Sequence, residues 1–317
     1  MNSSTAGESQ VFCIFVNMKF RTVLMSLLAL SSAAACTVVE DARITEYRDG
    51  RRAAVSLTFD DGILDHYTMV APHLDSLGLR ATFWVNGNSI EQGEVNYAPR
   101  LTWQMCREMS DRGHEISNHS WSHPHLTNLS EEALREEVFK NDDAIEAATG
   151  KRPITFCYPF NAQNELVARV CHEGRVGTRD YQEAQGQVNS GSTPESLRAW
   201  LEKVIANGEW GVTMSHGIHH GWDQWNDENV LWDFFRELAR RQDEVWIDTF
   251  AAVAAYRAER EHCTIRVRKY HKCIGIKPSC DLDPALYQEK LTAEVTVNGR
   301  TRLLEFDPFG KEQYFEL

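Results

Sequence analysis

The 317-residue chain predicts an α/β fold: a mainly parallel sheet or barrel followed by a small β-rich module. Three observations carry that expectation. Between residues 50 and 260, short apolar, β-prone runs alternate with helix-patterned segments about seven times, the pattern of parallel strands joined by crossover helices. From Glu261 onward the period shortens, with apolar and polar residues alternating in Thr264–Arg268 and Leu291–Val297. Asn298-Gly299 then separates two such runs, and both residues accept the positive φ of a two-residue hairpin turn.

Val55–Phe59 is the first strand and stops abruptly at Asp60-Asp61-Gly62; Ala81–Val85 is the second. A helix over Thr102–Arg112 ends at Gly113, a left-handed cap, and His114–Ser117 returns to strand. Ser130 caps a long helix whose first turn holds Glu131 and Glu132, where carboxylates favour the helix dipole. Gly150 ends it, and Thr155–Tyr158 is the next strand. A weaker strand follows at Val176–Thr178, and Thr193-Pro194-Glu195 opens another helix with proline at its first position. Gly211–Ser215, a helix over Asp227–Arg241, Val245–Ile247 and a helix over Phe250–Arg260 complete the series. The domain organisation expected is a leader over 1–36, a barrel over 50–260 and a β-rich module over 261–317.

Met18–Arg21 supplies a basic stretch, Val23–Leu30 an apolar one, and Ala33 and Ala35 small residues at signal-peptidase spacing. That is the layout of a secretory signal, and its apolar run is shorter than the roughly 20 residues of a membrane span. The expected location is secreted, periplasmic or cell-surface, with Cys36 a candidate for lipid attachment. Export permits disulfides, and Cys263, Cys273 and Cys280 cluster near the C-terminus; Cys106 and Cys171 read as buried thiols. A formal charge of −13 argues against a nucleic-acid partner, which demands clustered Lys and Arg. Oligomeric state is not legible.

In a parallel barrel, reactive groups gather where strands end. Asp60 and Asp61 stand there, and adjacent carboxylates can divide labour between holding a metal and accepting a proton, although Asp-Asp-Gly is also a common turn. His119 and His123 follow the third strand, four apart, a spacing that lets two imidazoles face one ion. Two histidines and a carboxylate leave positions open for water and substrate, as catalytic metal sites do. His216 ends the Gly211–Ser215 strand and could act as a general acid near neutral pH; the neighbouring His219 and His220 make an ordinary His-rich loop the competing reading.

Thr58-Phe59-Asp60-Asp61-Gly62, with Gly113-His114-Glu115-Ile116 leading into His119-Ser120-Trp121-Ser122-His123, resembles the polysaccharide deacetylase (NodB-homology, carbohydrate esterase 4) family over residues 53–260. The resemblance implies a distorted (β/α)7 barrel, a divalent ion, usually Zn2+, and hydrolysis of N- or O-linked acetyl groups on a glycan such as peptidoglycan, a chitin-type oligomer or acetylated xylan. It makes Asp60 the base, Asp61, His119 and His123 the metal ligands, and His216 the acid. A water activated at the metal attacks the acetyl carbonyl, and a backbone amide near Phe160 helps to stabilise the oxyanion. The family's third motif often reads Phe-Arg-Pro-Pro-Tyr-Gly, whereas this chain has Phe156-Cys157-Tyr158-Pro159-Phe160-Asn161, so the arginine that orients the base is missing from its usual place. Arg179 could replace that charge, Asp180 could orient His216, and Cys157 is a packing residue or a further ligand.

Trp121, Trp222 and Trp225 lie in loops beyond site-bearing strands, where indoles stack well on sugar rings; Trp222 is the favoured one. Asn118 and His125 read as supports. The competing reading of the whole chain is a noncatalytic carbohydrate-binding protein on the same barrel, for which the displaced arginine speaks.

Overall fold

The computed structural model describes residues 39–180 and 184–317; the leader and Cys36 lie outside the described residues. Every expected strand forms, shifted by a residue or two. Ala184–Gln187, Trp210–Met214, Ala53–Ser56 and Val245–Ile247 pair in that order, as do Thr58–Phe59, Thr82–Val85, Glu115–Asn118, Thr155–Cys157 and Gly177–Arg179. All these pairings are parallel. Leu57 joins the two sets, its carbonyl accepting from Thr82 N while Phe59 bridges to Ser215. The sheet therefore curls into the distorted barrel that the sequence predicts, with helices packed outside.

The caps behave as their residues dictate. Thr102, Ser130, Thr193 and Thr249 each accept a backbone N–H from the first turn of the helix they precede, and Gly150 takes left-handed φ at a helix end. Inside, Phe59 stacks on Phe83 at 5.3 Å between ring centroids and meets Phe235 edge-on at 6.4 Å. Three elements had no clear period in the sequence. Ala184–Gln187 is a strand of sequence Ala-Gln-Gly-Gln without an apolar run, His66–Val70 is a wide helical turn running into Ala71–Ser76, and Glu94–Val95 pairs antiparallel with Ala98–Pro99.

The C-terminal residues build two antiparallel sheets. One pairs Cys263–Lys269, Cys273–Cys280 and Gln313–Glu316; the other joins Leu291–Val297 and Arg300–Phe306 through the Asn298-Gly299 turn, both residues at positive φ. The second sheet recruits Val39–Ile44, which precedes the barrel in sequence. Helix Phe250–His262 runs straight into the strand at Cys263, and one buried cluster holds barrel residues Phe250 and Tyr256 beside Ile274, Leu291 and Val295. Cys263 lies opposite Cys280 in register, both as free thiols.

A charged network is buried beside the sheet. Asp142, on helix Glu131–Thr149, accepts from Arg175 Nη2 at 2.5 Å and from Asn118 Nδ2 at 2.6 Å. Removing one partner of such a pair strands the other charge in low dielectric. Asp142→Ala is therefore expected to cost about 3–5 kcal/mol, read from the urea unfolding midpoint. Burial also holds His66 and His119 near pKa 4, with Asp65 and Asp60 charges opposing that shift only in part. An unfolded chain takes up protons at these sites from about pH 6.5 downward while the folded one does not. These two histidines should accordingly draw stability down as pH drops from 6.5 to 4, against the opposite pull of Glu259, which burial raises to about 8. The pH dependence of the unfolding midpoint should therefore change in His66→Gln, and an identical profile in parent and variant would contradict it.

Candidate active site

Asp60 and Asp61 are adjacent yet face different surroundings, because the chain turns sharply between them. Asp60 N still donates to Ser215 O as part of the sheet, whereas Asp61 sits at φ 76° and Gly62 at 61°. Arg100 holds this turn: its Nη1 donates to Asp61 O at 2.8 Å, and Leu101 N donates to Gly62 O at 2.9 Å.

Asp60 is buried and meets Arg179 in a bidentate pair, Nη1 to Oδ1 at 2.7 Å and Nη2 to Oδ2. Arg179 Nη1 also donates to Thr58 Oγ1 at 2.6 Å. Burial alone would raise the Asp60 pKa; the Arg179 charge, with His119 and His216 adding to it, instead brings it down to about 2. Asp180, next in sequence, turns away and accepts from Gln163 Nε2. Among the described residues no hydrogen bond joins it to His216, and of the two neighbours Arg179 is the one that reaches Asp60.

His119 and His123 follow Glu115–Asn118 on a loop with Ser120 and His123 at positive φ. Asn118 fixes the loop, its Oδ1 accepting from Ser120 N and Asn141 Nδ2 while its Nδ2 donates to Asp142 and to Val138 O. His119 Nδ1–H donates to Cys157 O at 2.8 Å, which leaves the Nε2 lone pair free for a ligand. That Nε2 is 3.8 Å from Asp61 Oδ1, and His123 Nε2 is 3.7 Å from the same oxygen. The three donors lie within 4.8 Å of one another, and burial keeps His119 neutral, with a pKa near 4. Two imidazole nitrogens and one carboxylate in this arrangement fit a divalent ion with open positions. An overlapping trio, Asp60, His119 and Cys157, fits less well. Asp60 is committed to Arg179, and burial pushes the Cys157 thiol far up, keeping it protonated.

His216 lines the same cleft, a cavity of about 650 Å³ that also borders Asp60, Asp61, Phe160 and Trp222. Its backbone is pinned by residues far away in sequence. His66 Nε2–H donates to His216 O at 2.9 Å, and Asp65 accepts from Ile218, His219 and His220 N and from His220 Nδ1. Trp222 is 69% exposed and meets the His216 ring edge-on at 5.1 Å. Phe160, at φ 59°, stacks on His125 at 4.0 Å and against His123 at 4.6 Å. The other two tryptophans are elsewhere: Trp225 is in the core, and Trp121 lies over Gly87 with Lys140 on its ring face. Sequence reasoning missed Asp65, His66, Arg100, Asn141 and Asp142. Asp65 and His66 sit within six residues of Asp60, the one local sign that they serve the site.

Residues 47–174 match the sequence model of the polysaccharide deacetylase family. The peptidoglycan-N-acetylglucosamine deacetylase PgdA of Listeria monocytogenes is 36% identical over 171 residues, covering 52% of this chain and 32% of that protein. The peptidoglycan-N-acetylmuramic acid deacetylase PdaC of Bacillus subtilis is 34% identical over 118 residues, 37% of this chain and 23% of its own length. The matched stretch thus spans a third or less of these curated relatives. A solved structure from Mycobacterium smegmatis, provisionally described as a polysaccharide deacetylase, superposes with a TM-score of 0.54 at 19% identity, covering 68% of this chain and 94% of that one; the likeness is one of fold.

The pinning contacts lead to a test. Asp65→Asn keeps the shape but removes the charge that collects three backbone N–H groups, so the His216 loop should loosen. Faster amide hydrogen exchange at 216–220 is expected, with the exchange of the 131–149 helix unchanged.

Proposed function

We propose that this chain, whose residues 47–174 match the polysaccharide deacetylase family, hydrolyses acetyl groups from a glycan, N-acetylated amino-sugar chains of the cell-wall class first among them. The observation that carries this reading is the convergence of Asp61, His119 and His123 beside the buried Asp60–Arg179 pair, with His216 on the same cleft. The relatives PgdA and PdaC carry names that specify peptidoglycan amino sugars, which supports the choice of substrate class.

Asp61, His119 and His123 would hold a divalent cation, with zinc the expected one because imidazole nitrogens suit it. Bound there, such an ion lowers the pKa of water and polarises a carbonyl. The chain's own groups do the rest. Asp60 accepts the proton of the water that attacks the acetyl carbonyl carbon. A carboxylate held near pKa 2 is a weak base, but it is ionised throughout the working range and is oriented by both Arg179 nitrogens. The Phe160 backbone N–H, presented by a left-handed residue at the cleft, is the proposed donor to the developing oxyanion. His216 then protonates the departing nitrogen as the C–N bond breaks, leaving acetate and a free amine. Trp222 offers an exposed ring for the sugar.

Arg179 takes the part of the arginine absent from its usual motif position, reaching Asp60 from the strand Gly177–Arg179 instead. A glycan outside the cell implies an exported protein; among the described residues no helix is long and apolar enough to cross a membrane.

Acetate release from chitin oligomers, peptidoglycan and acetylated xylan, each with zinc added, tests the reading. Asp60→Asn should lower turnover by about 10²–10⁴-fold, and His119→Ala should abolish tight zinc binding. Zinc binding without acetate release from any substrate would favour the noncatalytic carbohydrate-binding alternative. Arg179→Met removes the cation that holds the Asp60 pKa down while burial still raises it. The acid limb of the pH–rate profile should therefore move to higher pH; an unmoved limb would mean that Asp60 does not set it.

A further inference from the structure

The segment Cys263–Cys280 stands apart electrostatically. It holds five Lys and Arg and no Asp or Glu, in a chain whose acidic residues outnumber basic ones 46 to 33. Along Cys263–Lys269 exposure alternates, and across both strands Ile274 and Ile276 are buried while Arg266, Arg268 and Lys277 are exposed on the outer face. The register sets Arg266 opposite Lys277, and Arg268 opposite Gly275, which in turn faces Tyr314. Like charges directly opposed across an antiparallel pair are destabilising. Among the described residues none of these three cations forms an ion pair, although others in the C-terminal part of the chain do, His262 with Asp281 and Lys290 with Glu305.

The aromatic edge of this face is built rather than incidental. Tyr270 and Tyr314 pack edge-on at 5.7 Å over Gly275, where an added Cβ would come within 2.8 Å of the first ring and 3.3 Å of the second. Tyr314 remains 60% exposed. Glu312, which accepts from the Tyr270 hydroxyl at 2.9 Å, reaches over Gly275 opposite Arg268, and Glu316 lies on the Tyr314 strand, so the positive charge is centred on the Arg266–Lys277 pair with Arg268 at its edge.

We propose that this face binds an acidic polysaccharide, a chain of sugars carrying carboxylates, with Arg266, Arg268 and Lys277 pairing the anionic groups and Tyr314 stacking on a ring. Three unpaired cations held at strand spacing match a polymer with repeating negative charge, and an exposed tyrosine edge matches a pyranose face. The face belongs to strands other than those that build the cleft, and the inference rests on the glycan reading only in preferring a sugar polymer to other polyanions.

Polygalacturonate, which carries no acetyl group, is the probe, so the result does not depend on catalysis. The whole chain should be retained by immobilised polygalacturonate at 20 mM salt, about the low-salt regime in which exposed charges act unscreened, and released as salt rises. The triple variant Arg266→Ser, Arg268→Ser, Lys277→Ser should bind about tenfold more weakly or worse, and Tyr314→Ser should weaken binding to a lesser degree. A control triple of equal charge, Arg107→Ser, Arg198→Ser, Lys203→Ser, should bind as the parent does, and all variants should keep the parent's unfolding midpoint. Equal loss in both triples, equal retention on neutral dextran, or no retention at all would overturn the proposal. Binding to phosphatidylglycerol vesicles with none to the polysaccharide would overturn it too, assigning the face to a membrane.

Discussion

The pairing of Asp60 with Arg179 is the constraint around which the cleft is arranged. A carboxylate buried at a strand end costs several kcal/mol unless a partner with good geometry meets it, and here both carboxylate oxygens are met by one guanidinium that also holds Thr58. The pair links strand Thr58–Phe59 to strand Gly177–Arg179 from opposite edges of a five-stranded sheet. It thereby draws the curled sheet closed across its interior, where no backbone ladder joins those two strands. One interaction both keeps Asp60 ionised and ties together the two edge strands whose ends border the cleft shared with Asp61, His119 and His216.

The groups around that pair are positioned by contacts that span the chain. Asp65 and His66 reach 150 residues ahead to hold the His216 loop, and Asn118 ties the His119 loop to helix Glu131–Thr149. Each staple satisfies backbone groups that a loop would otherwise leave to water. The precision of the site therefore comes from polar networks below it, as a site on loops requires, and less from the rigidity of the loops themselves.

The alternation of strands and helices was legible because parallel strands such as Ala53–Ser56, Thr82–Val85 and Thr155–Cys157 are buried on both faces and the helices between strands are bounded by caps, as Ser130 and Gly150 bound the long helix. The site residues were legible where spacing is local: Asp60 with Asp61, and His119 with His123. What escaped was non-local. Nothing in the sequence near Asp65 announces three backbone donors from 218–220, and nothing near Arg100 announces the Asp61 carbonyl. The strand Val39–Ile44 escaped for the same reason, since its partner Leu291–Val297 lies at the other end of the chain. Which of Arg179 and Asp180 would reach Asp60 was not legible either, since adjacent residues in extended backbone point to opposite sides and the rule does not say which is inward.

Backbone strain is concentrated where the chemistry is placed. Asp61, Ser120, His123 and Phe160 all adopt positive φ without being glycine, at a cost of roughly 1–3 kcal/mol each when such a residue is unsupported. Glycine at these positions would relieve the strain but would delete a carboxylate, the hydroxyl that accepts from His123 N, an imidazole or the ring that packs on His123 and His125. The chain keeps the functional side chain and offsets the strain with fixed partners: Arg100 on the Asp61 carbonyl, Asn118 on the Ser120 amide, and His125 stacked on Phe160. Positive φ at Asp61 also turns the chain out of the strand that Asp60 N still pairs to Ser215, with the Asp61 carboxylate 3.8 and 3.7 Å from the His119 and His123 nitrogens. Two adjacent aspartates acquire different tasks because one residue between strand and loop is left-handed.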